Sequence, residues 1–132
     1  MIEVFFDGAA SGNPGLAGGG LYINMGGQKE VRRTFFLGTL ENNHEAEFAA
    51  LVASLRYCLD NGFRSVSFRT DSQLVDQALA KRYVRKEVYA QYLREALELI
   101  DQFDLFFCKW IPDRQNRNAD VLARKAIRQQ IK

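Results

Sequence analysis

The chain has 132 residues, 47% hydrophobic and 26% charged, with a formal net charge of +2. That suffices for one buried core, residues 1–132 as a single domain, and is too little for two ordinary domains. No apolar run approaches the roughly 20 residues that span a bilayer, and the two cysteines, Cys58 and Cys108, lack metal-ligand spacing, so a membrane-spanning helix and a zinc centre are both excluded.

In chain order, Ile2, Val4 and Phe6 alternate with Glu3, Phe5 and Asp7, the period of a strand, and Gly8 to Gly15 carries the turn chemistry that ends it. Asp7 is therefore expected at a strand end, either tying up its own turn or acting as the first ligand of a site on a sheet rim. The chain enters this strand with no basic region, apolar stretch and cleavage site in series, so a cytoplasmic protein is expected. Gly18-Gly19-Gly20 leads into Leu21 to Met25, and Glu30 to Leu37 follows after Gly26-Gly27, which completes a three-stranded antiparallel meander. From Asn42 the period becomes helical through Phe48, Leu51, Val52, Leu55 and Leu59, with Asn42 or Asn43 as cap and Asn61-Gly62 as stop. Arg64 to Thr70 reads as a strand ending at Asp71, Ser72 to Ala80 as a short helix, Lys81 to Lys86 as a basic connector and Val88 to Phe103 as a helix. Asp104 to Ile111 is an apolar strand stopped by Pro112, with Trp110 expected in the core, and a last helix runs from about Asn118 to Ile131. Crossover helices force parallel pairing, so the expected fold is α/β: a mixed five-stranded sheet, three antiparallel strands then two parallel, flanked by helices.

Charge is uneven along this order. Residues 109 to 132 hold seven Lys/Arg against two Asp, whereas the first 108 hold 11 against 14 Asp/Glu. A polyanionic partner and an ordinary solvated basic helix face fit this asymmetry equally.

Four carboxylates share one kind of address: Asp7 and Asp71 at C-terminal strand ends, Glu47 and Asp120 in the first turns of helices. In open α/β sheets those ends form one rim. Acidic residues there also serve helix dipoles and turns, the structural alternative for each one alone. If the four converge, their repulsion calls for divalent cations, and an oxygen-only donor set suits magnesium or manganese. Two such ions about 3.5–4 Å apart are the arrangement for in-line phosphoryl transfer, so a phosphodiester substrate is expected.

The blocks Asp7-Gly-Ala-Ala-Ser-Gly-Asn-Pro-Gly15, Asn43-His-Glu-Ala-Glu47-Phe-Ala-Ala-Leu51, Thr70-Asp71-Ser-Gln73-Leu-Val75 and Asn116-Arg-Asn-Ala-Asp120-Val-Leu-Ala-Arg124 resemble the four signature blocks of type 1 ribonuclease H. The resemblance covers essentially the whole chain, in the family's order. It implies a ribonuclease H-like fold in which Asp7, Glu47, Asp71 and Asp120 bind two magnesium ions, with manganese as the alternative. It further implies endonucleolytic cleavage of the RNA strand of an RNA/DNA hybrid, leaving 5′-phosphate ends, by a protein expected to be a monomer. Gly8, Asn13, Asn43, His44, Gln73 and Asn116 fall at positions that the resemblance places against substrate, and Glu47 rather than Glu45 matches the catalytic position. Arg114 is a candidate substrate contact outside that match, with an exposed loop arginine of no such role as its alternative.

Three departures stand out. His44 replaces the usual second Asn of a pair. The loop from Pro112 to Ala119 is short and histidine-free, leaving Arg114 as the candidate positive charge near the scissile phosphate, and the long basic handle is reduced to Lys81 to Lys86. A module that kept the fold and lost efficient turnover is the alternative, and double-stranded RNA is a further candidate substrate. An exonuclease of the Asp-x-Glu kind would need an acid at Ala9, and an actin-like ATPase would need a second domain.

Overall fold

The computed structural model describes residues 1–131, so of the expected 1–132 domain only Lys132 lies outside the described residues. The elements are β1 (Ile2–Ala10), β2 (Gly15–Asn24), β3 (Glu30–Leu40), α1 (Asn43–Asp60), β4 (Ser65–Thr70), α2 (Gln73–Lys81), α3 (Glu87–Ile100), β5 (Leu105–Trp110), a 3-10 turn (Asp113–Gln115) and α4 (Arg117–Gln130). Strand order is β3-β2-β1-β4-β5; β1 to β3 pair antiparallel, and β4 joins β1 and β5 in parallel, as expected for the mixed sheet.

The period-two pattern of β1 sends Val4 and Phe6 into one core with Leu21, Ile23, Phe48, Leu51, Leu55, Val66 and Phe68. α1 supplies the helical half of that core and α3 packs behind it, while α4 lies across β1, β2 and β3 from the other face. β5 is an edge strand that sends Phe106 and Cys108 toward the core and leaves Leu105 and Phe107 exposed. α1 starts at Asn42, whose side chain accepts from the Glu45 N–H at 2.9 Å, and stops where Gly62 adopts a positive φ that a side chain would resist. No helix among the described residues is long and apolar enough to cross a membrane.

Four expectations are corrected. β1 continues through Asp7 to Ala10, with Asp7 opposite Gly20 in β2, so Asp7 is inside a strand. It nevertheless sits on a rim, because parallel pairing with β4 ends at Phe5 opposite Arg69. The three glycines at 18 to 20 belong to β2 itself. α3 ends at Ile100, since Gln102 and Phe103 turn back on Leu99 and Ile100 to launch β5. Trp110 is 39% exposed instead of buried, and its indole N–H donates to the Asp71 carbonyl at 3.1 Å.

Candidate active site

Close backbone approach sets the geometry of the rim. A Cβ on Gly8 would lie 2.1 Å from the Ala46 carbonyl oxygen and 2.6 Å from the Glu47 nitrogen, so only glycine lets α1 meet β1 there, and that contact delivers Glu47. On the opposite face a Cβ on Gly20 would lie 2.1 Å from the Ala119 carbonyl oxygen, and one on Gly18 would lie 2.4 Å from that of Ala123. Gly20 is the partner of Asp7 and Ala119 precedes Asp120, so the missing side chain seats α4 with Asp120 beside Asp7. Asp71 follows the last residue of β4 directly, ahead of the Ser72 cap that accepts from the Val75 N–H at 3.1 Å.

The four carboxylates meet as expected, though unequally. One oxygen each from Asp7, Glu47 and Asp71 lie within 4.8 Å of one another. Asp120 lines the same cleft of about 310 Å³ but stands outside this trio, its two oxygens accepting from the Arg124 Nε at 3.2 and 3.3 Å. Burial pushes the Asp7 carboxyl up to about 9; the Asp71 charge, a hydrogen bond with Asp120 and the Asp120 and Glu47 charges all act in the same direction. Burial also raises Glu47, opposed by the hydrogen bond from His44, and raises Asp71, opposed by the Asn116 amide. Three oxygen donors that cannot all ionise without a counter-charge fit a hard divalent cation. Glu45, in contrast, is buried away from the cleft, accepting from the Tyr92 hydroxyl at 2.7 Å and the Glu41 N–H at 2.8 Å.

The residues expected against substrate divide. Gly8 and Asn43 line the carboxylate cleft, with the Asn43 Oδ1 accepting from the Ala10 N–H at 2.7 Å. His44 and Gln73 line an adjoining depression with Glu47 and Asp71, and Arg114 lines a third. The His44 Nδ1 lies 3.2 Å from Glu47 Oε1, so the chain's single histidine stands at the centre although the loop before Asp120 has none. Asn13 sits on the exposed turn between β1 and β2, outside these depressions.

Asn116 requires correction. It is 1% exposed and does not face a substrate; its amide donates to the Phe6 carbonyl at 2.9 Å and lies 3.4 Å from Asp71 Oδ2, bracing β1 to the end of β4. Replacing it with alanine leaves the Phe6 carbonyl unpaired, and the expected loss is about 2 kcal/mol in denaturant unfolding, with slower catalysis as Asp71 loses its support. The sequence offered no sign of this role beyond an Asn four residues before Asp120. Trp110, bonded to the Asp71 backbone, was likewise missed.

A family model described as "Reverse transcriptase-like" matches residues 5–126. The chain is 36% identical over 129 residues to the Enterococcus faecalis protein named "Putative hydrolase EbsB", covering 96% of this chain and 94% of that one. It is 33% identical to a ribonuclease HI of Halobacterium salinarum, over 96% of this chain and 64% of that protein. The crystal structure of RNase H1 from Halobacterium salinarum superposes with a TM-score of 0.90 at 32% identity, over 97% of this chain and 98% of the other. That of LC11-RNase H1 in complex with RNA/DNA hybrid superposes with a TM-score of 0.82 at 26% identity, each chain covered in full.

Proposed function

The chain belongs to the type 1 ribonuclease H family, and from that premise we propose that it is an endonuclease hydrolysing the RNA strand of RNA/DNA hybrids. The observation that carries this reading is the approach of Asp7, Glu47 and Asp71 oxygens to within 4.8 Å at the rim, with Asp120 beside them. The structural likeness to a ribonuclease H1 in complex with RNA/DNA hybrid supports the choice of substrate.

In this reading Asp7, Glu47, Asp71 and Asp120 hold two magnesium ions, with manganese as the alternative. When bound, such ions supply charge that activates water and stabilises the leaving oxygen. The carboxylates fix where that charge stands relative to the phosphodiester, and backbone contacts at Gly8 and Gly20 fix the carboxylates. Water attacks phosphorus in line, the bond from phosphorus to the 3′-oxygen breaks, and the departing oxygen is protonated, leaving a 3′-hydroxyl and a 5′-phosphate. His44, in hydrogen-bond reach of Glu47, orients that carboxylate. Asn43 and Gln73, at the cleft and the depression next to it, meet the hybrid where 2′-hydroxyls are sensed.

The test is cleavage of an end-labelled hybrid beside an RNA duplex and single-stranded RNA at one salt concentration. Expected are 5′-phosphate products from the hybrid with magnesium or manganese and none with chelator. An inactive purified protein, or full activity of Asp71→Asn, overturns the proposal; binding without cleavage would identify a module that has lost turnover.

A further inference from the structure

The first turn of a helix favours acidic side chains and disfavours basic ones, because its unpaired N–H groups carry partial positive charge. α4 meets this preference with Asp120 and runs against it with Arg117. Arg117 is its first residue, Arg114 lies in the 3-10 turn just before it, and Arg124 is in its second turn. Arg114 and Arg117 are exposed and make no ion pair among the described residues, and Arg124 engages Asp120 through Nε alone. The i,i+4 pair with Asp120 accounts for Arg124, but helix stability does not account for Arg114 or Arg117.

The three arginines line one recess of about 270 Å³ with Asp71, Asp113 and Asp120. It is continuous with the carboxylate cleft, since Asp71, Asp113, Asp120 and Arg124 line both. With Asp71 and Asp120 committed to cations, Asp113 alone opposes the arginines and the recess is net positive. A ligand spanning both spaces must present an anion to the recess and a cleavable phosphodiester to the cleft. Consecutive phosphates of one strand do this, and guanidinium groups suit phosphate oxygens as forked donors.

We infer that Arg117, with Arg114 and the remaining Nη groups of Arg124, forms a subsite for the RNA-strand phosphate adjacent to the scissile one. The inference rests on the cleft being the phosphodiester-cleaving centre proposed above, and it assigns roles to Arg117 and Arg124 that the four signature carboxylates do not explain. Asp120 and the bound phosphate share Arg124, so substrate binding and placement of the fourth carboxylate are linked through one side chain.

The experiment pairs Arg117→Gln with a hybrid that has one mapped cleavage position and a neutral methylphosphonate at either flanking RNA phosphate. KM and kcat are measured with magnesium, and hybrid affinity by fluorescence anisotropy with calcium in its place. Arg117→Gln is expected to raise KM and weaken binding roughly tenfold, to change kcat less than about threefold, and to reduce the salt slope of binding by about one. One of the two methylphosphonates should weaken wild type to a similar degree and weaken Arg117→Gln clearly less, the remainder coming from Arg114 and Arg124, while Arg117→Lys recovers most of the binding. The variant should melt at or slightly above the wild-type temperature, since it removes a cation from a helix N-terminus. Multiplying effects of variant and methylphosphonate, or wild-type affinity in Arg117→Gln, overturn the subsite. Coupled binding without wild-type cleavage would overturn the cleavage reading and leave the phosphate subsite standing; cleavage without coupling would do the reverse, and absence of binding would remove both.

Discussion

Asp7→Asn is expected to abolish hybrid cleavage, by at least roughly 10³-fold, and yet to raise the melting temperature of the metal-free protein at pH 8. The two effects have one cause. The Asp7 carboxyl, at 3.8 in an unperturbed setting, is pushed up to about 9 by burial and by Asp71, Asp120 and Glu47 around it. Between those values the unfolded chain releases this proton and the folded chain retains it, so stability falls as pH rises from about 4 and levels off above about 9. Asparagine removes this opposing contribution, for a gain of roughly 1–3 kcal/mol at pH 8 and several degrees in melting temperature. Below about pH 3.5 both states of the wild type are protonated and the two proteins should melt together. Saturating magnesium should narrow or invert the difference at pH 8, because a cation that binds only the folded, ionised site stabilises the wild type alone. Differential scanning fluorimetry over pH 3 to 9, with magnesium or chelator, reads all of this. A variant less stable than wild type at pH 8 in chelator would contradict the electrostatic account of the cluster.

Gly20→Ala is expected to be among the most damaging single-methyl changes near the centre, beside Gly8→Ala. Its Cβ would stand 2.1 Å from the Ala119 carbonyl oxygen, 2.6 Å from the Ala123 nitrogen and 2.8 Å from the Leu122 Cβ, so α4 must lift or β2 must bend. Either response separates Asp120 from Asp7. The expected cost is about 3 kcal/mol, near 10 °C in melting temperature, with activity lost beyond what the unfolded fraction explains. Gly19→Ala is the matched control: the Cβ contacts there are side-chain atoms of Phe35 and Ala50 at 3.2 and 3.3 Å, which can yield by a few tenths of an ångström. Denaturant unfolding and cleavage rates of the two variants side by side test this, and equal losses would show that close backbone approach is not what seats α4.

These two positions also show what the sequence made legible. Asp7, Glu47, Asp71 and Asp120 could be grouped as candidates because strand ends and helix starts share a rim in parallel α/β sheets, and the resemblance of the four blocks that carry them is what singled them out. Gly18 to Gly20 were not readable in the same way. As local signals they resemble a turn, and the reason for Gly18 and Gly20 is a helix more than 90 positions later in the chain whose backbone they admit. Asn116 and Trp110 escape a local reading for a related cause: a buried amide bracing two strands, and an indole bonded to the carbonyl of Asp71, are long-range pairings with no periodicity. The glycine after Asp7 reads locally as the stop of its strand, whereas the ladder with β2 continues and only the one with β4 ends.

The contact of β2 with α4 has a consequence for how finely this centre can be adjusted. Side chains meeting across a seam have alternative rotamers and can absorb a change by repacking; carbonyl oxygens resting on glycine Cα atoms have none. α4 therefore has one seating depth, set by atomic radii, and the spacing of the Asp7 and Asp120 backbones follows from it. What can still vary is the arginine at position 124, a long exposed side chain with several torsions. With Arg114 and Arg117 it belongs to the movable side chains around a backbone frame that is otherwise fixed.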